Sequence, residues 1–359
     1  MNKTALISGV SGQDGYYLSK YLLDLGYRVV GIVRRTSTPN DTRLRTLKGT
    51  PNFVLVDGDI TDISSIQRLV KTFQPDEFYH LAAQSHVALS WEYPIQTAET
   101  TGIGVLNCLE ALKQEKPDCR FYFAGSSEQF GNSIQGKFKV FVPGLGYKGL
   151  GVRREPGEVL LNEDSLMNPE SPYAAAKVFG YNITQVYRRS YDMFASCGIL
   201  FNHESPLRGE NFVTRKITSQ LARVKWGLQE YVELGNLNSY RDWGFAGDYV
   251  RAMHAMLQHD EPDDFVIATG ETYSVQEFVS RACNYFQLDP HKVIKINPKF
   301  IRPKDVDVLI GNSEKARQIL NWTPKYTFEE LVQMMCKYDD HRQSTDPQMV
   351  RMADEYLGG

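Results

Sequence analysis

Thr4-Ala-Leu-Ile-Ser-Gly9-Val-Ser-Gly12-Gln-Asp-Gly15 is a short apolar run that breaks into three glycines and then enters a helix-length segment beginning near Tyr16. Thr4 to Ile7 reads as a buried strand. A strand that ends in glycines and feeds a helix offers backbone amides at the helix N-terminus, where an anion approaches with no side chain in the way. A glycine triplet alone is also what any tight turn needs. Its place directly after the first strand favours a dinucleotide site, with Gly9, Gly12, Gln13 and Asp14 as candidate contacts, although the spacing is GxxGxxG rather than GxGxxG.

Working outward, Arg28 to Val33, Phe53 to Val56, Glu77 to Leu81 and Arg120 to Ala124 are further short apolar runs separated by helix-length segments. Such alternation builds a parallel sheet with helices on both faces. Ser196 to Phe201 and Asp264 to Ala268 share this character and are expected to return to the sheet. The fold class is therefore α/β, a doubly wound parallel Rossmann-type sheet with a smaller, interleaved C-terminal substrate lobe. Residues 1–201 form the dinucleotide-binding domain, rejoined by 241–270, while 202–240 and 271–340 form the lobe. Residues 132–158, with six glycines and five basic residues, read as a long inserted loop or hairpin. The tail 341–359 is polar and expected to fray, with a possible short helix from Gln348 to Leu357.

Bulk composition excludes several classes of function. With 40 basic and 43 acidic residues, the chain has no footprint for nucleic acid or an anionic membrane. It shows neither a signal-type apolar region nor a spanning segment, so a cytoplasmic location is expected. The five cysteines, Cys108, Cys119, Cys197, Cys283 and Cys336, lack CxxC spacing and read as small buried hydrophobes. The seven histidines show no ligand spacing, and no metal is expected.

After the second strand comes Arg34-Arg35-Thr36, where a carboxylate would be expected if the partner were the ribose 2'-hydroxyl of NAD. Two guanidiniums favour a 2'-phosphate, hence NADP, although a solvated basic loop has the same composition. Asp59 and Ile60 after the third strand are placed at the adenine, and Leu81, Ala83 and Ser85 after the fourth at the nicotinamide ribose.

The chemistry is carried by Phe121-Tyr-Phe-Ala-Gly-Ser-Ser-Glu128 and Ser171-Pro-Tyr173-Ala-Ala-Ala-Lys177. Residues four apart share a helix face, so Lys177 can set its ammonium near the Tyr173 phenol, lower its pKa and hold the nicotinamide ribose. Tyr16 and Lys20 have the same spacing. Only the second pair follows a Ser-Pro helix start, so the first reads as ordinary helix surface. An isolated glutamate is usually a solvated loop acid. Glu128, however, lies past a strand's carboxyl end, where open parallel sheets place their ligands. Ser126 and Ser127 beside it are turn residues or, in one case, a hydrogen-bond donor to a sugar oxygen gaining charge. Tyrosine and lysine suit any hydride transfer; the added carboxylate suggests removal of a proton from carbon as well, thus oxidation followed by elimination.

With these residues on the page, the chain resembles the GDP-mannose 4,6-dehydratases of the extended short-chain dehydrogenase/reductase superfamily. Gly12-Gln-Asp-Gly15, Gly31-Ile-Val-Arg-Arg35, Ala83-Gln-Ser-His-Val87, Gly198-Ile-Leu-Phe-Asn-His-Glu-Ser-Pro206, Asn211-Phe-Val-Thr-Arg-Lys216, Arg241-Asp-Trp-Gly244 and Asp264-Phe-Val-Ile-Ala-Thr-Gly270 carry the likeness. The resemblance implies NADP reduced and reoxidised within one turnover, with Tyr173 as base at O4 and Glu128 as base at C5. It implies His203 and Arg208 as cofactor contacts, and Ser85, Asn202, Lys216, Arg241 and Arg302 as ligands of a GDP-sugar. It also implies a homodimer or homotetramer. The chain departs from the family pattern at Ser126 (often threonine), Leu207 (often arginine) and Gln96 (a tyrosine). A shorter segment before Ile301-Arg302-Pro303 and the insertion, which reads equally as a solvent hairpin, an assembly contact or a lid, also depart. GDP-manno-heptose 4,6-dehydratase, a GDP-sugar 4-ketoreductase or epimerase, and a noncatalytic NADP-binding scaffold are the other readings.

Overall fold

A computed structural model describes residues 2–37, 40–132, 160–300 and 306–355. The inserted loop from residue 133 on, and Arg302, fall outside them.

Seven strands form the central sheet: β1 (Thr4–Ser8), β2 (Arg28–Val33), β3 (Phe53–Asp57), β4 (Glu77–His80), β5 (Arg120–Ala124), β6 (Ala195–Leu200) and β7 (Asp264–Ile267). Their order is β7-β6-β5-β4-β1-β2-β3, and every neighbouring pair is parallel. β4 and β6 are buried along their whole length, which is why their sequences are continuous rather than alternating runs. Successive side chains still point to opposite faces: Tyr79 and Tyr122 enter one core, Phe78 and Phe121 the other. The chain moves outward from β1 to β2 and β3, then returns to lay β4 on the other side of β1. That reversal opens a crevice at the strands' carboxyl ends.

The first helix, α1, spans Gln13–Asp24 and so starts three residues before the expected Tyr16. Gly12 caps it without a side-chain hydrogen bond, which is why no polar cap residue announced the start. Gly15 packs against the turn that follows β1: a Cβ there would lie 2.4 Å from the Val10 carbonyl oxygen. Gly9 has φ +74°, a conformation that other residues rarely adopt, and a Cβ on it would meet the Ala82 nitrogen at 2.7 Å.

The Tyr79-side core runs on into a second group of elements. Helices Val213–Lys225, Val275–Phe286 and Phe328–Gln343 pack on one another, and Trp243 stacks on Phe328 with ring centroids 5.8 Å apart. Three short strand pairs join this group: Asn202–Glu204 with Trp243–Phe245, Tyr240–Arg241 with Tyr273–Ser274, and Val232–Leu234 with Ile294–Ile296. The C-terminal region is more regular than expected, since the Phe328 helix continues to Gln343 and a further helix spans Pro347–Glu355. Among the described residues, no helix is long and apolar enough to cross a membrane.

Candidate active site

β5 ends directly in a one-turn 3-10 helix, Ser127–Phe130, with Ser126 as its N-cap. The Ser126 backbone donates to Gln129 Oε1 at 2.6 Å, and Ser126 Oγ accepts from the Glu128 amide at 3.3 Å. This capping box fixes Glu128 in the first turn, just beyond the sheet. Across from it, Ser171 caps the helix Pro172–Tyr191 by accepting from the Ala174 amide at 3.1 Å, with Pro172 at the first helical position. The two elements are then joined. Lys177 Nζ donates to the Ala124 carbonyl at 2.6 Å, and Ser126 is near enough to the Tyr173 hydroxyl to favour its ionised form.

The electrostatics differ from the expectation for Tyr173. Burial pushes its phenol up to about 12; the Ser126 hydrogen bond works against this and the Glu128 charge adds to it. The expected lowering by Lys177 is not found, because that ammonium is turned to Ala124 and lies 5.7 Å from the Tyr173 ring centroid. Lys177 itself is only 4% exposed, and burial lowers its pKa to about 8.

Glu128, Ser126, Tyr173 and Lys177 line one cavity of about 670 Å³ at the carboxyl end of the sheet. Asp14, Leu81, Ala83 and Ser85 close it from the β1 and β4 ends, and Asn202, His203 and Arg208 from beyond β6. Arg208 pairs with Glu204 at 3.2 Å and lies 3.7 Å above the Phe212 ring. Asn202 Oδ1 is buried with no hydrogen-bond partner among the described residues, an unsatisfied polar atom on a residue that lines the cavity. At the far end, Lys216 Nζ lies 3.3 Å from the Phe300 ring centroid, and Arg241 donates to the Val306 carbonyl at 2.7 Å.

The remaining expected residues lie outside this cavity, around the ends of β1, β2 and β3. Gly9, Gly12 and Gln13 form the β1 turn, where Gly12 donates to the Gly9 carbonyl at 3.0 Å. Arg34, Arg35 and Thr36 are exposed beyond β2. Asp59 accepts from the Thr61 amide at 2.9 Å, while Ile60 is buried and its carbonyl accepts from Asn107. Arg43 was not anticipated. It donates to the Leu207 carbonyl at 2.8 Å and to the Ser11 carbonyl at 3.3 Å, bracing the glycine turn against the segment after β6. Its setting in a polar stretch gave no pattern from which to find it. Trp91 and Phe300, which also line the cavity, were equally unmarked.

The sequence profile described as GDP-mannose 4,6 dehydratase matches residues 6–140 and 155–335. The chain belongs to the GDP-mannose 4,6-dehydratase family. The break in that match falls inside the inserted segment. Among relatives of that name, the Drosophila melanogaster protein is 44% identical over 364 residues, covering 94% of this chain and 86% of its own. GDP-mannose 4,6 dehydratase 1 of Arabidopsis thaliana is 44% identical over 347 residues, covering 94% and 90% respectively. Among solved structures, the dTDP-glucose 4,6-dehydratase of Bacillus anthracis in complex with NAD superimposes with a TM-score of 0.77 at 19% identity, covering 95% of this chain and 98% of that one. That likeness is one of fold.

Proposed function

We propose that the chain is an NADP-dependent GDP-mannose 4,6-dehydratase, giving GDP-4-keto-6-deoxy-mannose. The observation that carries this reading is the meeting of Glu128, Tyr173, Lys177 and Ser126 in one cavity, in a chain 44% identical to relatives of that name. Tyr173 takes the O4 proton while Ser126 steadies the oxygen. NADP, held there, would supply the acceptor for the C4 hydride and its source for return to C6. Glu128 removes the C5 proton, acidified by the new 4-ketone, and that proton leaves with the C6 hydroxyl as water. The proton kept by Tyr173 is restored at C5, so the protein ends each turnover as it began. Lys177 and the β1 glycine turn hold the cofactor; Lys216 and Arg302, in a lobe of 202–240 and 271–340, hold the nucleotide sugar together with Arg241 at the edge of that lobe.

The preference for NADP rests on Arg34 and Arg35, which stand exposed at the end of β2. Charge-assisted hydrogen bonds to a 2'-phosphate are expected to favour it by about tenfold or more. We also infer a homodimer or homotetramer. Ile95, Ile103, Phe179 and Val186 are 71, 44, 39 and 39% exposed on neighbouring helical segments, an apolar strip that a second copy would cover. Sedimentation at monomer mass would contradict this. A cytoplasmic setting suits the five buried free thiols.

Given GDP-mannose, the purified protein is expected to release the 4-keto-6-deoxy product without accumulating NADPH. Glu128→Gln should retain cofactor but lose at least about a hundredfold in water release. Equal turnover by that variant would return the chain to a ketoreductase, an epimerase or a noncatalytic scaffold. The second reading is a GDP-manno-heptose 4,6-dehydratase, since the family match breaks inside 132–158, between Glu128 and Tyr173. Turnover of the two sugars measured side by side decides between them.

A further inference from the structure

His203 lines the same cavity as the proposed catalytic group, and the geometry around its ring bears on its charge. Nδ1 is 2.8 Å from the Phe201 carbonyl oxygen, and Nε2 is 2.9 Å from Asp14 Oδ2. A carbonyl only accepts, and so does Asp14 once ionised, the form its lowered pKa favours, so both ring nitrogens then donate. A neutral imidazole has one N–H and cannot satisfy both. The ring cannot easily turn away, since it stacks on Tyr249 with centroids 4.6 Å apart and planes 21° from parallel. Asp14 is held as firmly: Gln13 Nε2 donates to its Oδ1 at 3.0 Å, and Ser205 Oγ donates to Gln13 Oε1 at 2.7 Å.

We infer that His203 is a standing imidazolium whose role is to cancel the charge of Asp14, a positioning residue that keeps the cavity of Tyr173 free of an uncompensated carboxylate. This rests on the reading of Tyr173 as the base at O4.

His203 is the cation in direct contact with Asp14. Among the other cations lining the cavity, Arg208 is paired with Glu204 and adds a weaker charge at Asp14, Lys177 is turned to the Ala124 carbonyl, Lys216 lies over Phe300 and Arg241 donates to the Val306 carbonyl. Tyr249, on the helix Ala246–Gln258, meets the ring as an uncharged phenol, since burial pushes its pKa well up. Tyr122 on β5, which also feels Asp14, is uncharged for the same reason. Burial on its own would strip the proton from His203, but the Asp14 charge and the two hydrogen bonds overcome this, and the net shift is upward. Asp14 correspondingly shifts down: burial opposes it, and the charge and hydrogen bond of His203, with the Gln13 hydrogen bond and the Arg208 charge, together outweigh burial. Asp14 and Tyr173 line the same cavity, and the Asp14 charge adds to the resistance of the phenol to ionise. The Ser126 hydrogen bond and the Arg208 charge act against that resistance, and the imidazolium offsets the Asp14 share of it.

Two measurements on the full-length protein test this. In ¹⁵N-histidine spectra at about pH 8, where free imidazole is mostly neutral, one residue should show both ring nitrogens protonated, and its signal should vanish in His203→Gln. In pH profiles of kcat, His203→Gln should move the limb set by Tyr173 to higher pH by about half a unit or more. Adding Asp14→Asn should bring it back toward the wild-type position, which mere loss of packing would not do. A neutral His203 ring at that pH, or an unmoved limb in the single variant, overturns the inference. If Tyr173→Phe keeps full turnover, the assignment of the base has failed instead, and the nitrogen spectra alone decide the charge of His203.

Discussion

Two helices in this molecule carry a tyrosine followed four residues later by a lysine, and they end in opposite situations. On α1, Tyr16 is buried and accepts a hydrogen bond from Thr46 at 3.0 Å, while the Lys20 side chain is 35% exposed and reaches Asp24 at 3.8 Å along its own helix. On the helix Pro172–Tyr191, Tyr173 and Lys177 line the cavity, and Lys177 crosses to the end of β5 rather than along its helix. The spacing puts two side chains on one face in each case; only the neighbouring strand end turns the second pair into a site. α1 gives its N-terminus to the crevice and packs the rest of its length on the sheet. The later helix gives its first two turns, and with them its side chains.

The largest difference should appear in turnover. Tyr173→Phe or Lys177→Ala is expected to lower kcat by about a thousandfold, whereas Tyr16→Phe should leave it within about twofold. Similar losses from both tyrosine variants would mean that the cavity does not mark the site.

The contacts of the two helices with the sheet sharpen the comparison. A Cβ on Gly15 of α1 would strike the Val10 backbone, while one on Gly180 would meet the Phe123 ring, 2.5 Å from its Cζ. A ring can shift and a backbone cannot. Gly180→Ala should cost about 1–3 kcal/mol in denaturant melts, and Gly15→Ala more than that. Because Lys177 Nζ lies 5.0 Å from the Phe123 ring, Gly180→Ala should also lower kcat, an effect absent if that ring carries no part of the site's geometry.

The smallest effect is in the pH dependence of stability. The folded pKa of Lys177 is lowered to about 8, below its ordinary 10.5. Below pH 8 the amine is protonated in both states, and its burial penalty is fully present. Between pH 8 and 10.5 the unfolded chain holds more protons, so stability from this group rises with pH, by at most about 1.4 kcal/mol per unit. Lys177→Met should be the more stable at pH 7, and its advantage should shrink by pH 10. A constant gap between the two proteins would show that the amine is not desolvated.

Much of the fold was legible in the sequence because the sheet strands are buried on both faces, which leaves short unbroken apolar runs such as Ala195–Leu200 and Arg120–Ala124. Those strands were found to within a residue at each end. The start of α1 was misjudged because glycine, not a polar cap, opens it. At the site, Glu128, Tyr173 and Lys177 could be read from their places after a strand and a Ser-Pro cap. The pairing of Asp14 with His203 could not, since the two are 189 positions apart and meet only when β6 packs beside β5. Arg43 was hidden for the same reason, its partner Leu207 being 164 positions away. The upward shift of Tyr173 was missed because sequence spacing reports that a lysine is near, not how deeply the phenol is buried.

The most direct test of the central claim is isotopic. GDP-mannose carrying deuterium at C4 should yield a 4-keto-6-deoxy product with the deuterium at C6 and none in solvent, as the pairing of Tyr173 at O4 with Glu128 at C5 requires. Deuterium lost to water, or kept at C4, would contradict an internal transfer and with it the dehydratase reading.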